Sequence, residues 1–152
     1  MKSLRVLLAS IVMASALFVV GCDKSGVVES TPQPNKAVTY YTIDGVWELV
    51  EWNGAALVDG TELYITLDRK EHRFEIWDNL NSMYTVMRSG SFLLSVDDMQ
   101  RDVISGWYDY GVGDWSSDYF VELNAEGDRM QWTAVDGNEQ MIFVEIDKLP
   151  EL

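Results

Sequence analysis

The chain has 152 residues, which allows one domain with appendages. Hydrophobic residues make up 47% and charged residues 24%, the proportions of a globular rather than a disordered chain. The formal net charge of −14 disfavours nucleic acid, because an acidic surface repels phosphate, and any attachment to anionic lipid must come from something other than charge.

The chain opens with MKSLRVLLASIVMASALFVVGC. Lys2 and Arg5 form a basic start, and Val6 to Val20 is an unbroken run of apolar or small residues. A membrane-spanning helix needs ~20 apolar residues, so this run is too short and fits a secretory signal peptide over residues 1–21. Cys22 is the only cysteine, which excludes an intrachain disulfide. Val19-Val20-Gly21-Cys22 resembles the bacterial lipobox. That resemblance implies cleavage before Cys22, lipid on its thiol, acylation (palmitate or a similar chain) of the new amino group, and anchoring to the cell envelope. Several acyl chains hold a membrane stably where one would not. The membrane is the expected partner at Cys22, and the outer membrane the expected location.

Residues 22–42 are polar, hold two of the three prolines, and show no periodicity. They read as a flexible tether reaching roughly 25 Å as a coil. The folded domain is expected over residues 43–152, long enough to bury a core without a disulfide.

From there the hydrophobic period is two. GVWELVEWNG puts Trp47 and Leu49 on one face and ends at the turn signal Asn53-Gly54. TELYITLDR sets Leu63, Ile65 and Leu67 against Glu62, Tyr64, Thr66 and Asp68. HRFEIWD sets Phe74 and Ile76 against Arg73, Glu75 and Trp77. SMYTVMRSGSFLLSV is a longer run in which Gly90 marks a bend or bulge. DVISGWYD follows the polar turn DDMQR. DYFVELN sets Tyr119, Val121 and Leu123 against Phe120 and Glu122. After AEGD, RMQWTAV alternates Met130, Trp132 and Ala134 with polar residues. After DGNE, QMIFVEID places Ile142, Val144 and Ile146 on one face. About eight strands joined by short turns pair neighbour to neighbour. The expected fold is all-β, an antiparallel up-and-down eight-stranded barrel, with room for packed side chains or one small ligand.

Gly45-Val46-Trp47 resembles the first-strand G-x-W signature of lipocalins, in which the Trp packs across the closed end of the barrel. The domain is also similar to small lipocalin-like (calycin-like) domains of lipoproteins from Bacteroidetes. The similarity is carried by GVWELV, FEIWDNL, ISGWYDYGVGDWSSDYFVEL and VEIDKLPE, and it implies fold and location rather than an activity. Lipocalins also carry an Arg near the last strand and a long helix after it. No Arg follows Arg129 here, and no such helix pattern follows the last strand.

Little in the chain points to catalysis. The single His72 lies in a charged strand start, Cys22 is committed to lipid, and one His with one Cys cannot build a zinc site. Among 25 acidic residues, close pairs arise by chance, and Asp97-Asp98 reads as a turn. Asp109, Asp114 and Asp118 beside Gly111 and Gly113 offer oxygen ligands, but not at the spacing of a calcium loop of the EF-hand type. No metal, cofactor or enzymatic activity is expected. The aromatic supply suggests a binding module whose mouth takes a small apolar or glycan-like ligand, with Trp107, Tyr110 and Trp115 as the contacts. The alternative is an envelope interaction or structural protein with a filled barrel.

Overall fold

The computed structural model describes residues 33–111 and 113–151. Among the described residues, nine strands form one antiparallel sheet: β1 (Gly45–Trp52), β2 (Ala55–Ala56), β3 (Leu63–Asp68), β4 (Arg73–Asp78), β5 (Val86–Val96), β6 (Asp102–Tyr108), β7 (Tyr119–Leu123), β8 (Arg129–Ala134) and β9 (Gln140–Ile146). Each long strand pairs with the next, and β1 pairs with β9, so the sheet closes into an up-and-down barrel. The two-residue β2 extends the β3 edge alongside the end of β1. This is the architecture expected from the alternating pattern, and closure leaves only short unpaired stretches of edge, chiefly between β6 and β7.

The period-two pattern sets the interior at most strands. Leu63, Ile65 and Leu67 of β3, Phe74 and Ile76 of β4, Tyr119, Val121 and Leu123 of β7, and Met130, Trp132 and Ala134 of β8 all join one hydrophobic core. Trp47 and Phe74 are completely buried. Each such side chain contributes about 1.5–3 kcal/mol through burial. The last strand differs from expectation. Ile142, Val144 and Ile146 do share a face, but it is the outer one, and Met141 and Phe143 enter the core.

Gly90 is where β5 changes partners. Residues 86–91 pair with β4, and residues 90–96 with β6. A Cβ at Gly90 would lie 2.1 Å from the Trp107 carbonyl oxygen and 2.6 Å from the Phe74 ring, so only glycine lets the three strands and that ring converge.

One end of the barrel is closed by residues 36–43, most of which the sequence assigned to the tether. Paired Thr39 and Thr42 form a tight turn, with the Thr39 amide donating to Thr42 Oγ1 at 2.8 Å. The turn delivers Ile43 beneath the barrel, where its carbonyl accepts the Trp47 indole N–H at 2.9 Å. The Tyr40 ring stacks on His72 at 4.1 Å, and its hydroxyl accepts the Leu94 amide at 2.9 Å. The G-x-W tryptophan is therefore sealed by the chain that leads into its own strand, and the Ile43 carbonyl satisfies its polar atom. Cys22, the leader and the first part of the tether lie outside the described residues.

The candidate site at the barrel mouth

The opposite end is built around the stretch from Ser105 to Phe120. Strand β6 pairs with β7 only at Val103–Phe120 and Ile104–Tyr119. Beyond Ile104 its partner is the returning loop: the Tyr108 amide donates to the Gly113 carbonyl, and the Trp115 amide to the Gly106 carbonyl, both at 2.8 Å. This pairing turns the Trp115 side chain into the barrel. Gly106 faces it with no side chain, and a Cβ there would fall 2.2 Å from the indole. The Trp115 ring then packs 4.9 Å from Phe74 and 5.1 Å from Trp132, centroid to centroid. Trp132 continues the stack to Phe143 at 5.0 Å. The rest of the core holds the buried side chains of Trp47, Leu49, Phe92, Ile104, Leu123 and Met130.

Above it a cavity of about 250 Å³ opens at the mouth. Its apolar wall includes Ile65, Ile76, Met141 and Phe143, and the indoles of Trp115 and Trp132. Its polar groups come from separate elements. Arg88 pairs with Asp78, whose side chain is almost fully buried. Tyr119 donates its hydroxyl proton to Glu139 Oε2 at 2.6 Å, and Ser116 Oγ donates to the Tyr119 oxygen at 2.8 Å. Burial, and then the hydrogen bond to Glu139, push the Tyr119 phenol well above the ordinary tyrosine range, so it stays a donor. Burial likewise raises the Tyr108 phenol, opposed by Arg88.

The indole N–H groups of both Trp115 and Trp132 are buried and find no acceptor among the described residues. Trp77, on the outer face of β4, has a third such N–H. Buried donors in native proteins nearly always have a partner, so these indoles are unusual; the N–H groups of Trp115 and Trp132 are covered by packing rather than open to the cavity.

The structure separates the three aromatic residues expected to contact a ligand. Trp115 lines the cavity. Trp107 points outward from β6 and is 44% exposed, and Tyr110 is fully exposed at a left-handed position (φ 61°) in the short turn Asp109–Gly111. Asp109, which with Asp114 and Asp118 offers oxygen ligands in the sequence, is held by the Arg73 guanidinium, with Nη1 donating to Oδ1 at 2.9 Å. Ser89 Oγ donates to its other oxygen at 2.7 Å. Arg73 and then Ser89 hold the Asp109 carboxyl below its usual range. This clasp pins the loop to the outside of β4 and β5. Among the described residues, no group of three or more His, Cys, Asp or Glu side chains is placed to hold a metal ion. Asp97 accepts the Met99 and Arg101 amides, as a turn residue does.

The inward-facing Asp78, Arg88 and Trp132 were not among the expected site residues. Their phase was visible in part: Asp78 continues the alternation of Phe74 and Ile76, and Arg88 precedes Gly90 and Phe92 on one face. Glu139 lies in a turn, and nothing local links it to Tyr119. Comparison with protein families, with curated proteins and with solved structures finds no match to this chain. The site therefore stands on its own geometry.

Proposed function

We propose that the protein is a bacterial envelope lipoprotein, anchored through Cys22, whose barrel binds a small ligand at its mouth rather than performing catalysis. The cavity of about 250 Å³ carries this reading, since it joins an apolar wall to a few polar groups, the usual composition of a small-molecule site. An engineered cavity of about 150 Å³ accepts benzene. The mouth therefore suits one ring system or a short chain segment rather than a long lipid. The aromatic wall fits an apolar compound or the flat face of one sugar unit.

Two measurements test it. In cells, Cys22→Ala should abolish labelling with radioactive palmitate and release the protein from the outer-membrane fraction; unchanged fractionation would refute the anchor. For the ligand, the protein is purified from its host without detergent extraction, as the Cys22→Ala form lacking residues 1–21. Native mass spectrometry and thermal-shift panels of small apolar compounds and monosaccharides then report binding. A barrel that arrives empty and is stabilised by no panel member would contradict the binding role.

A second reading, an interaction module of the envelope, draws on the apolar side chains exposed in the loops at this end. Met83 is 92% exposed and Tyr84 79%. Substituting both with Ser would leave small-ligand binding intact under the first reading and would abolish partner binding under the second.

A further inference from the structure

We propose that the mouth cavity takes an alkylated ammonium group, the methylated or quaternary end of a small monocation, held between the aromatic lining and the Glu139 carboxylate. The inference rests on the reading of the mouth as a ligand site and adds the chemical class of what enters it.

Trp52, Tyr108, Trp115, Tyr119, Trp132 and Phe143 all contribute to the wall of the cavity. Aromatic rings attract a cation through the negative charge of their faces. A methylated ammonium suits such a wall because its methyl groups are apolar and a quaternary nitrogen has no N–H in need of an acceptor. A primary ammonium brings three donors and a tight shell of water, which this wall does not replace.

Charge points the same way. Two pairings of carboxylate and ring stand at the mouth. In one, the buried Asp78 carboxylate binds Arg88, whose guanidinium carbon lies 5.8 Å from the centre of the Tyr108 ring. In the other, Glu139 Oε2 accepts the Tyr119 hydroxyl at 2.6 Å, and the Tyr119 ring lies 5.5 Å from that of Trp132. No lysine or arginine pairs with Glu139 among the described residues. Glu139 is half-buried in the cavity wall, and its Oε1 is not enclosed by packing. The second pairing therefore has the carboxylate and the rings of the first without its cation. Burial keeps the Tyr108 and Tyr119 phenols neutral, so Arg88, Asp78 and Glu139 together leave one negative charge at the mouth. An anionic ligand would add to that excess, and a monocation cancels it.

The test measures four probes by calorimetry on residues 22–152 with Cys22→Ala. Choline, 3,3-dimethylbutan-1-ol and 3,3-dimethylbutanoate share one branched head and differ in charge. Ethanolamine keeps the charge of choline without its methyl groups. Choline should bind tightest, at least about tenfold above the neutral alcohol, the combined gain of a desolvated cation–π contact and a nearby carboxylate. Ethanolamine and the anion should both bind more weakly than choline. Glu139→Gln keeps an acceptor for Tyr119 but removes the charge, so it should weaken choline severalfold and leave the alcohol unchanged. With choline bound, co-sedimentation with phosphatidylcholine but not phosphatidylglycerol vesicles assigns the group to a lipid headgroup, and no co-sedimentation assigns it to a free molecule; both support the class. If the alcohol binds as tightly as choline, or the anion binds tightest, the cation inference fails and the ligand site stands. Equal binding of ethanolamine and choline also overturns it, since attraction to an acidic surface would then explain the affinity. If none of the four binds, the cation inference fails, and the ligand site is judged by the apolar and monosaccharide panel alone. The wild-type series decides these outcomes even if the variant does not fold.

Discussion

The two ends of the barrel solve the same packing problem in opposite ways. At the closed end a tryptophan is buried with its N–H given to the Ile43 carbonyl, and Tyr40 seals the rim by accepting the Leu94 amide. At the mouth two tryptophans line the cavity with their rings, and their N–H groups are buried in the packing without a partner among the described residues. The first end is complete as folded. The second keeps unpaired donors, which cost stability, beside a cavity that a small ligand can enter. The difference teaches where the fold is rigid support and where it is a site.

That contrast can be broken first at the closed end. Trp47→Ala should cost about 3–5 kcal/mol, enough to unfold much of the population, as read by urea denaturation. A sharper version compares phenylalanine substitutions. Trp47→Phe removes a made hydrogen bond and orphans the Ile43 carbonyl, so it should destabilise by about 2 kcal/mol. Trp115→Phe and Trp132→Phe shrink the side chain equally but remove a donor that has no partner among the described residues, so each should cost about 1 kcal/mol less than Trp47→Phe. Equal losses at all three positions would erase the distinction between the ends.

Gly106→Ala acts at the mouth alone. Its new methyl occupies the place of the Trp115 ring, and overpacking of this kind costs about 1–3 kcal/mol. The ring should leave the barrel, shifting tryptophan emission to longer wavelength, while the amide exchange of residues 43–47 stays slow. Tyr119→Phe should cost about 1 kcal/mol, because Ser116 and Glu139 lose a partner at a partly hydrated rim.

The smallest effect concerns the clasp at Asp109. Its carboxyl is held below the unfolded value of about 3.9, so its contribution is fully present above that pH and is lost as pH falls through the lowered folded value. The protection of the loop amides of residues 109–118 against hydrogen exchange, corrected for the intrinsic rate, should therefore fall only below about pH 4. Asp109→Asn should make the loop exchange fast at neutral pH and remove that acid step. A step centred above pH 4 would show that Arg73 does not hold the carboxylate.

Much of the barrel was legible because β3, β4, β7 and β8 alternate cleanly, so one face is apolar and the other is not. Strand β9 misled because QMIFVEI is apolar on both faces. Inner Met141 is 7% exposed and outer Ile142 only 9%, so period two could not set the phase. The stretch around Trp115 was recognisable as a loop at one rim, yet which of its aromatics turns inward depends on Gly106 across a β-bridge. Exposed Trp107 and Tyr110 share its composition but not that partner. Arg88 with Asp78, and Tyr119 with Glu139, meet only after the sheet closes.

The two ends can be read at once from the six tryptophan indole N–H resonances of the ¹⁵N-labelled Cys22→Ala protein, residues 22–152, titrated with a small compound that the thermal-shift panel shows to bind. The Trp115 and Trp132 signals, whose rings line the cavity, should shift and saturate together, while the Trp47 signal stays fixed. Movement of Trp47 to the same extent, or saturable binding that leaves Trp115 and Trp132 untouched, would contradict the assignment of the mouth as the binding end.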